Sequence, residues 1–410
     1  MIDRRVLTVI LSAIFLKIVV SLSHKHNVCH SWDGYYTDKD CYYNPDQHSE
    51  LAEIVQRRGY TIEEYQVETK DHYYLKVFRI PKPGKTPIFL IHGLYSSSIS
   101  FVLAGNHSLA FVLAEAGYDV WLGNFRGSRY SRGHKFLHDD SFKYWDFSLH
   151  ELGVYDISTQ LELINKITEK PIAYIGFSLG TIAGHIYSAT YPTRAKQIIK
   201  VMISMAPTAL LETSISGLRT IGPLFPSIAA TVNAYSHGEL LPRNGVIKNV
   251  INSICLPYPH QMRSCLAIIQ SGFGFSEDQI NPETLSIILA QDRDSISMKV
   301  VLHQRQIVHS RKFRQFDYGH SGNVKEYHQD VPPLYHLNDI RVPNHFIRAK
   351  GDLLGTKKAV EELYHYLPDD VQKGIYVVDH PTFSHTDFLW GKDAYYLVYK
   401  HILEFLSTFK

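Results

Sequence analysis

The chain has 410 residues, of which 45% are hydrophobic and 20% are charged, and its formal net charge is +2 at pH 7. This composition excludes a disordered chain, because it supplies enough apolar side chains to bury a core. Near-neutrality argues against a nucleic-acid-binding protein, which normally carries a strongly basic surface, so we predict no nucleic-acid partner. The length suggests two to three domains, or one α/β core that carries an insertion.

The N-terminal segment has the pattern of a secretory signal peptide. Two arginines precede an uncharged apolar run over residues 6–16, and small residues at positions 21 and 23 mark a cleavage site. An uncleaved membrane anchor is the alternative, but Lys17 interrupts the apolar segment, and a span requires about 20 apolar residues. We predict that residues 1–23 are removed. No other run is long enough to cross a bilayer, so we expect no transmembrane span after removal of the signal.

Four cysteines are consistent with export to an oxidising compartment. They lie in two closely spaced pairs, Cys29 with Cys41 and Cys255 with Cys265. Four cysteines allow three pairings, and we favour the two local disulfides because they close the shortest loops. Zinc binding is the alternative, but neither pair has the C-x-x-C spacing of zinc sites, so we expect no metal. Asn106 begins the sequon Asn-His-Ser and is a candidate glycosylation site.

Short apolar runs alternate with helical patterns along most of the chain, and this alternation is typical of a mostly parallel sheet covered by helices. The predicted strands are residues 87–92, 118–122, 172–177, 199–205, 344–349 and 374–378. The predicted helices are residues 108–116, 154–167 and 394–406. The sequence therefore predicts an α/β fold.

The strand pattern is interrupted between about residues 210 and 333, where helical segments punctuated by proline and glycine take over. An apolar helical face within this region precedes Cys255 and consists of Val246, Ile247, Val250, Ile251 and Ile254. Such a face either packs a helical subdomain or lies over a site for apolar ligands. We predict a first core segment at residues 24–209, a helical cap at residues 210–333 and a second core segment at residues 334–410.

Residues 176–180 form the only G-x-S-x-G match in the chain, and the central residue is Ser178. The match lies where a predicted strand passes into a helix-like segment, which is the setting of a nucleophile elbow. Glycines on both sides of the serine allow the backbones to approach closely, and the new helix directs its free N–H groups at the serine. A structural turn serine is the alternative, but the flanking strand and helix favour a nucleophile.

A serine nucleophile requires a histidine base and a carboxylate that orients the histidine, in the chain order Ser, acid, His for this architecture. Among 23 histidines, His385 follows the last predicted strand and precedes the closing helix, so its loop can return to the carboxyl edge of the sheet. His380 is the competitor, but it lies directly at the strand end. We therefore predict His385 as the general base.

The orienting carboxylate is predicted to be Asp352. It comes just after a predicted strand and lies 33 residues before His385, which leaves room for one helix and one strand. Asp379 and Asp387 are too close to His385 in sequence to lie one strand away, and Asp317 falls in the predicted cap. A turn or a helix cap is a sufficient explanation for each of these three aspartates.

Acyl transfer also needs N–H donors for the negative charge that develops on the carbonyl oxygen. Leu94 follows a predicted buried strand and Leu179 follows the nucleophile, so their backbone N–H groups are the predicted oxyanion hole. His92, at the end of the same strand, is explained as a side chain that shapes the loop.

Several segments match one known family in order along the chain, namely residues 44–45 (NP), 90–94 (LIHGL), 117–127 (GYDVWLGNFRG), 316–319 (FDYG), 351–352 (GD) and 385–391 (HTDFLWG). In these segments the chain resembles the acid lipases, typified by lysosomal and gastric lipases. The resemblance implies an α/β-hydrolase fold and a secreted or lysosomal serine hydrolase. The expected substrate is a neutral lipid ester at a lipid–water interface. The reaction would require no cofactor. It further implies Ser178, Asp352 and His385 as the triad, and a cap disulfide between Cys255 and Cys265.

The chain departs from this family beside the nucleophile, where Phe177 and Leu179 replace the usual histidine and glutamine. It also departs at residues 290–295, which lack the usual proline and glycine. The triad is unaffected by these departures, which bear on substrate choice and pH preference. Two other functions are considered: a carboxylesterase for short or bulky soluble esters, and a lipid-binding protein on a hydrolase scaffold. The apolar face before Cys255 favours a lipase over the first, and an intact triad argues against the second.

Overall fold

The computed structural model describes residues 32–37, 44–208, 230, 235–242, 253–256, 259–276 and 278–409. The predicted signal peptide and the proposed pair Cys29 and Cys41 lie outside the described residues. The same holds for the predicted apolar face before Cys255, apart from Ile254. These features stay predictions.

Eleven strands occur in the described part of the chain: β1 (Glu63–Glu68), β2 (Tyr73–Ile80), β3 (Pro87–Ile91), β4 (Asp119–Gly123), β5 (Gly133–His134), β6 (Ile172–Phe177), β7 (Ile199–Met205), β8 (Glu239–Leu240), β9 (Ile296–Ser297), β10 (Asn344–Arg348) and β11 (Gln372–Val377). All six predicted strands are present, and their ends lie within two residues of the predicted ends.

The main sheet has the strand order β1-β2-β4-β3-β6-β7-β10-β11. The short strand β5 lies outside this order and pairs with β2. The six strands β4, β3, β6, β7, β10 and β11 pair in parallel with one another, whereas β2 pairs in antiparallel fashion with β1, β4 and β5. The carboxyl ends of β3, β6 and β10 therefore meet at one edge of the sheet. This edge is where an α/β sheet places its ligand.

The helices are α1 (Trp32–Thr37), α2 (Leu51–Arg57), α3 (Leu109–Glu115), α4 (Leu149–Glu151), α5 (Ser158–Thr168), α6 (Leu179–Thr190), α7 (Pro192–Ile198), α8 (Pro259–Phe273), α9 (Pro282–Gln291), α10 (Met298–Ser310), α11 (His320–Tyr327), α12 (Lys357–His365), α13 (Asp387–Trp390) and α14 (Lys400–Ser407). A π-helical segment, Leu152–Ile157, joins α4 to α5, and another, Tyr395–Tyr399, precedes α14. Among the described helices, none is long and apolar enough to span a membrane.

Both faces of the central sheet are buried, which explains the uninterrupted apolar runs in its strands. Phe89 and Tyr174 point into one apolar cluster, together with residues of α5 and α6. Ile88 and Ile175 point into a second cluster on the other face, together with residues of α3 and α14. The predicted α/β architecture is therefore confirmed in its central feature.

The described part of the predicted cap is mainly helical and contains α8, α9, α10 and α11. Its own apolar cluster includes Met262, Leu285 and Leu289. Cys255 and Cys265 form a disulfide within this cluster. The two short strands β8 and β9 pair in antiparallel fashion in the same region. The boundaries at residues 210 and 333 stay a prediction.

Candidate active site

Ser178 lies between the end of β6 and the first residue of α6, with φ 51° and ψ −112°. A positive φ is costly for a serine, so the surrounding packing must hold this backbone in place. A Cβ on Gly176 would lie 2.7 Å from the carbonyl carbon of Gly180, and a Cβ on Gly180 would lie 2.5 Å from the carbonyl oxygen of Ile91. The two glycines are therefore required by close backbone contact, and the serine projects from the tight turn.

His385 follows β11 and reaches the serine across the edge of the sheet. Its Nε2 lies 2.9 Å from the Ser178 Oγ, and its Nδ1 lies 2.9 Å from the Asp352 Oδ2. All three side chains are at most 7% exposed. A neutral imidazole that donates from Nδ1 to the carboxylate leaves Nε2 free to accept the serine proton.

The Asp352 carboxylate is held by the turn that follows β10. Its Oδ1 accepts hydrogen bonds from the backbone N–H groups of Leu354, at 2.8 Å, and Gly355, at 2.9 Å. One carboxylate oxygen is thus fixed by the backbone while the other faces His385. This arrangement sets the orientation of the imidazole.

The competing residues lie elsewhere. The Nε2 of His380 is 4.0 Å from the Oδ2 of Asp278, and the side chain of Asp379 is 94% exposed. Asp317 accepts a hydrogen bond from the backbone N–H of Gly319 before α11. Asp387 is buried but accepts from the backbone N–H of Ser384, at 2.6 Å. The contacts of Asp317 and Asp387 are local to a turn and to the start of a helix, as expected for two of the three aspartates.

The predicted oxyanion donors lie on two segments that meet beside the serine, the start of α6 and the loop that follows β3. Leu179 is the first residue of α6, and the first N–H groups of a helix have no partner within the helix. A Cβ on Gly93 would lie 3.3 Å from the Cβ of Ser178, so the loop that carries Leu94 passes directly beside the nucleophile. The donor role of both leucines stays a prediction.

His92 shapes this loop. Its Nδ1 lies 2.8 Å from the carbonyl oxygen of Gly93, and its Nε2 accepts from the backbone N–H of Phe125 at 3.2 Å. Burial lowers the pKa of His92 to about 4. A neutral imidazole therefore braces the loop from both ring nitrogens.

The chain is similar to known proteins over most of its length. Residues 51–105 match the family described as "Partial alpha/beta-hydrolase lipase region", and residues 86–241 match the "alpha/beta hydrolase fold" family. Human gastric triacylglycerol lipase is 33% identical, with 90% of this chain and 93% of the relative covered. Human lysosomal acid lipase/cholesteryl ester hydrolase is 30% identical with the same coverage.

The chain belongs to the acid lipase family. It is therefore a carboxylic ester hydrolase with the α/β-hydrolase fold. A crystal structure of a Sulfolobus solfataricus protein shares this fold with a TM-score of 0.56 at 17% identity, covering 85% of this chain and 94% of the other.

In this acid lipase, both residues that flank the nucleophile are apolar and buried. Leu179 is 1% exposed and packs in the apolar cluster beneath the sheet. The ring of Phe177 lies 5.1 Å from the His385 ring and 6.5 Å from the Phe388 ring, measured between centroids. The Phe273 ring stacks on His385 at 5.8 Å. Phe273 was not predicted as a site residue, although it lies in a Gly-Phe-Gly-Phe stretch at residues 272–275.

Residues 290–295 dock on the core beside the loop that carries Leu94. The Asp294 carboxylate lies 3.2 Å from the Arg129 Nε, and its backbone N–H donates to the carbonyl oxygen of Tyr95 at 2.8 Å. The hydroxyl of Ser96 donates to Asp292 at 2.6 Å. This segment therefore joins the predicted cap to the loop that follows Leu94.

Asp292→Asn is expected to change how the stability of the acid lipase depends on pH. Burial raises the pKa of Asp292 to about 7, against the opposing hydrogen bond from Ser96. The folded state thus keeps this proton to a higher pH than the unfolded chain. The contribution of Asp292 to the free energy of unfolding therefore falls as the pH rises from about 4 to about 7, by at most about 1.4 kcal/mol per pH unit.

The asparagine variant lacks this titration, so its stability relative to wild type should rise between pH 5 and pH 8 by about 1 kcal/mol or more. Urea unfolding at the two pH values measures this difference. Asp379→Asn, at an exposed carboxylate, is the control for removal of one charge. An equal stability difference for Asp292→Asn at both pH values would contradict the expectation.

Proposed function

We propose that this acid lipase hydrolyses neutral lipid esters through an acyl-enzyme formed on Ser178. The observation that carries the proposal is the continuous hydrogen-bonded path from Asp352 through His385 to the serine hydroxyl, with both links at 2.9 Å. No cofactor takes part in the proposed reaction. Triacylglycerols and sterol esters are the proposed substrate class, because the related lipases are named for these esters.

In the first step, the Ser178 Oγ attacks the ester carbonyl carbon while the His385 Nε2 takes the hydroxyl proton. The Asp352 carboxylate stabilises the imidazolium that results. The carbonyl oxygen becomes negative in the tetrahedral intermediate, and the N–H groups of Leu94 and Leu179 donate to it. The bond from carbonyl carbon to alcohol oxygen then breaks, and His385 returns its proton to the departing alcohol.

In the second step, water replaces the alcohol. His385 takes a proton from the water as the water oxygen attacks the acyl carbon. The second tetrahedral intermediate collapses, the bond to the Ser178 Oγ breaks, and the proton passes from His385 to the serine oxygen. The fatty acid leaves and the resting hydrogen bonds form again.

The proposed location is the extracellular space or the lysosome. The related proteins include a gastric and a lysosomal lipase, and the predicted signal peptide is consistent with export. The disulfide between Cys255 and Cys265 fits an oxidising compartment. We propose further that residues 210–333 form the cap, placed between two segments of the core.

A comparison of two substrates tests the proposed lipase activity. Purified protein without its signal peptide is expected to hydrolyse emulsified long-chain triacylglycerol as well as soluble p-nitrophenyl butyrate, and to release fatty acid from both. Activity on the soluble ester alone would instead favour a carboxylesterase. Binding of lipid without hydrolysis of either ester would favour the lipid-binding alternative.

A further inference from the structure

The C-terminal end of α8 contacts the loops of both the proposed acid and the proposed base. The carbonyl oxygen of Phe273 accepts a hydrogen bond from the backbone N–H of His385 at 3.4 Å. The same oxygen accepts from the backbone N–H of Leu353, also at 3.4 Å, and Leu353 directly follows Asp352. One carbonyl group of the cap region thus joins two loops that come from different strands of the core.

The side chain of Phe273 adds a second contact to the same site. Its ring is nearly parallel to the His385 imidazole, with an interplanar angle of 20° and a centroid distance of 5.8 Å. Offset stacking of two rings at this distance is favourable, so the Phe273 ring stabilises this orientation of the imidazole. The ring and the carbonyl of one residue therefore hold both the side chain and the backbone of His385.

Gly274 brings the chain closer to these loops than any other residue type allows. Its φ is +119°, and a Cβ at this position would lie 2.2 Å from the carbonyl oxygen of Gly351. The same Cβ would lie 2.9 Å from the Cβ of Ser384, the residue before His385. A side chain here would push the end of α8 away from the residues that precede Asp352 and His385.

The turn itself is braced from within. The backbone N–H of Gly274 donates to the carbonyl oxygen of Gln270 at 2.8 Å, and the Gln270 side chain donates to the carbonyl oxygen of Ser276 at 2.7 Å. Helix α8 is tied to the preceding segment by the disulfide between Cys255 and Cys265. These contacts hold the end of α8 where it meets the two loops.

We propose that Phe273 and Gly274 are positioning residues, which hold Asp352 and His385 at the distance from Ser178 that proton transfer requires. The proposal rests on the proposed esterase chemistry of Ser178. It gives the cap region a part in the catalytic geometry, in addition to any part in covering the site. A small displacement of the base lowers the rate of the chemical step far more than it weakens substrate binding.

Gly274→Ala and Gly272→Ala form a matched pair for the test. Gly272 lies two positions before Gly274, and a Cβ on Gly272 would have no heavy atom within 4 Å. With p-nitrophenyl butyrate, Gly274→Ala is expected to lower kcat by about 10-fold or more with KM within about 2-fold. Gly272→Ala should keep both constants within about 2-fold of wild type. Thermal unfolding of each variant identifies a loss of fold.

Phe273→Leu and Phe273→Tyr provide a second pair that keeps the backbone carbonyl, in case Gly274→Ala does not fold. Phe273→Leu removes the flat ring and is expected to lower kcat by about 10-fold. Phe273→Tyr retains the ring and should keep the wild-type kcat. Wild-type kcat in both Gly274→Ala and Phe273→Leu would overturn the proposal, as would a rise in KM with kcat unchanged. A wild-type protein that hydrolyses no ester would instead overturn the proposed function itself.

Discussion

Ser178→Ala is expected to lower kcat for ester hydrolysis by about 10⁵-fold or more, because in the proposed mechanism the serine hydroxyl forms the covalent bond to the acyl group. The residual rate should reflect only the oxyanion donors and substrate binding. The substitution removes one buried oxygen next to His385, so the fold should persist. Initial rates with a soluble ester, together with a thermal unfolding curve, measure both effects.

Ser188→Ala is the matched control for this experiment. Ser188 lies on α6, the helix that follows Ser178, is fully buried, and its hydroxyl has no hydrogen-bond partner within the described structure. Its replacement should leave kcat within about 2-fold of wild type. Hydrolysis by Ser178→Ala at a rate near that of wild type would remove Ser178 from the mechanism.

Asp352→Asn is expected to lower kcat by about 10⁴-fold. An amide that accepts backbone hydrogen bonds at Oδ1 presents its NH₂ group to His385, which favours the tautomer with its proton on Nε2. That tautomer cannot accept the proton of Ser178. Rate measurements at saturating soluble ester test this effect, since KM should change little.

Asp379→Asn serves as the control for Asp352→Asn, because it removes a carboxylate from the loop region of the next strand while its side chain is exposed. It should retain the wild-type rate. A loss smaller than about 10-fold for Asp352→Asn would mean that another carboxylate orients the base, and Asp387, buried beside the His385 loop, would then be the residue to replace next.

The central strands could be predicted because burial on both faces leaves a continuous apolar run, as in β3 and β6. β1 and β2 were absent from the predicted strands. β1 alternates between half-buried and exposed residues at the edge of the sheet, so its apolar content is low.

The helix predicted from residue 154 begins five residues earlier, at Leu149. A capping box between Ser148 and Glu151 marks this start, and the π-helical segment that follows disturbs the regular spacing.

The candidate triad could be predicted because each of its members follows a strand, and parallel strands bring their carboxyl ends together. The contacts of Phe273 could not be predicted in this way. Periodicity predicts where a helix such as α8 lies in the sequence, but it does not predict which loops its end will meet in the fold. The close approach of Gly274 to Gly351 depends on tertiary packing alone.

Covalent labelling by a fluorophosphonate probe tests the central claim most directly, because the probe reacts with a serine that an adjacent base activates and needs no lipid interface. Mass spectrometry of the labelled wild-type protein is expected to place a single adduct on Ser178. Labelling should be absent in Ser178→Ala and strongly slowed in His385→Ala. Absence of labelling in the folded wild-type protein, or an adduct on another serine, would contradict the account.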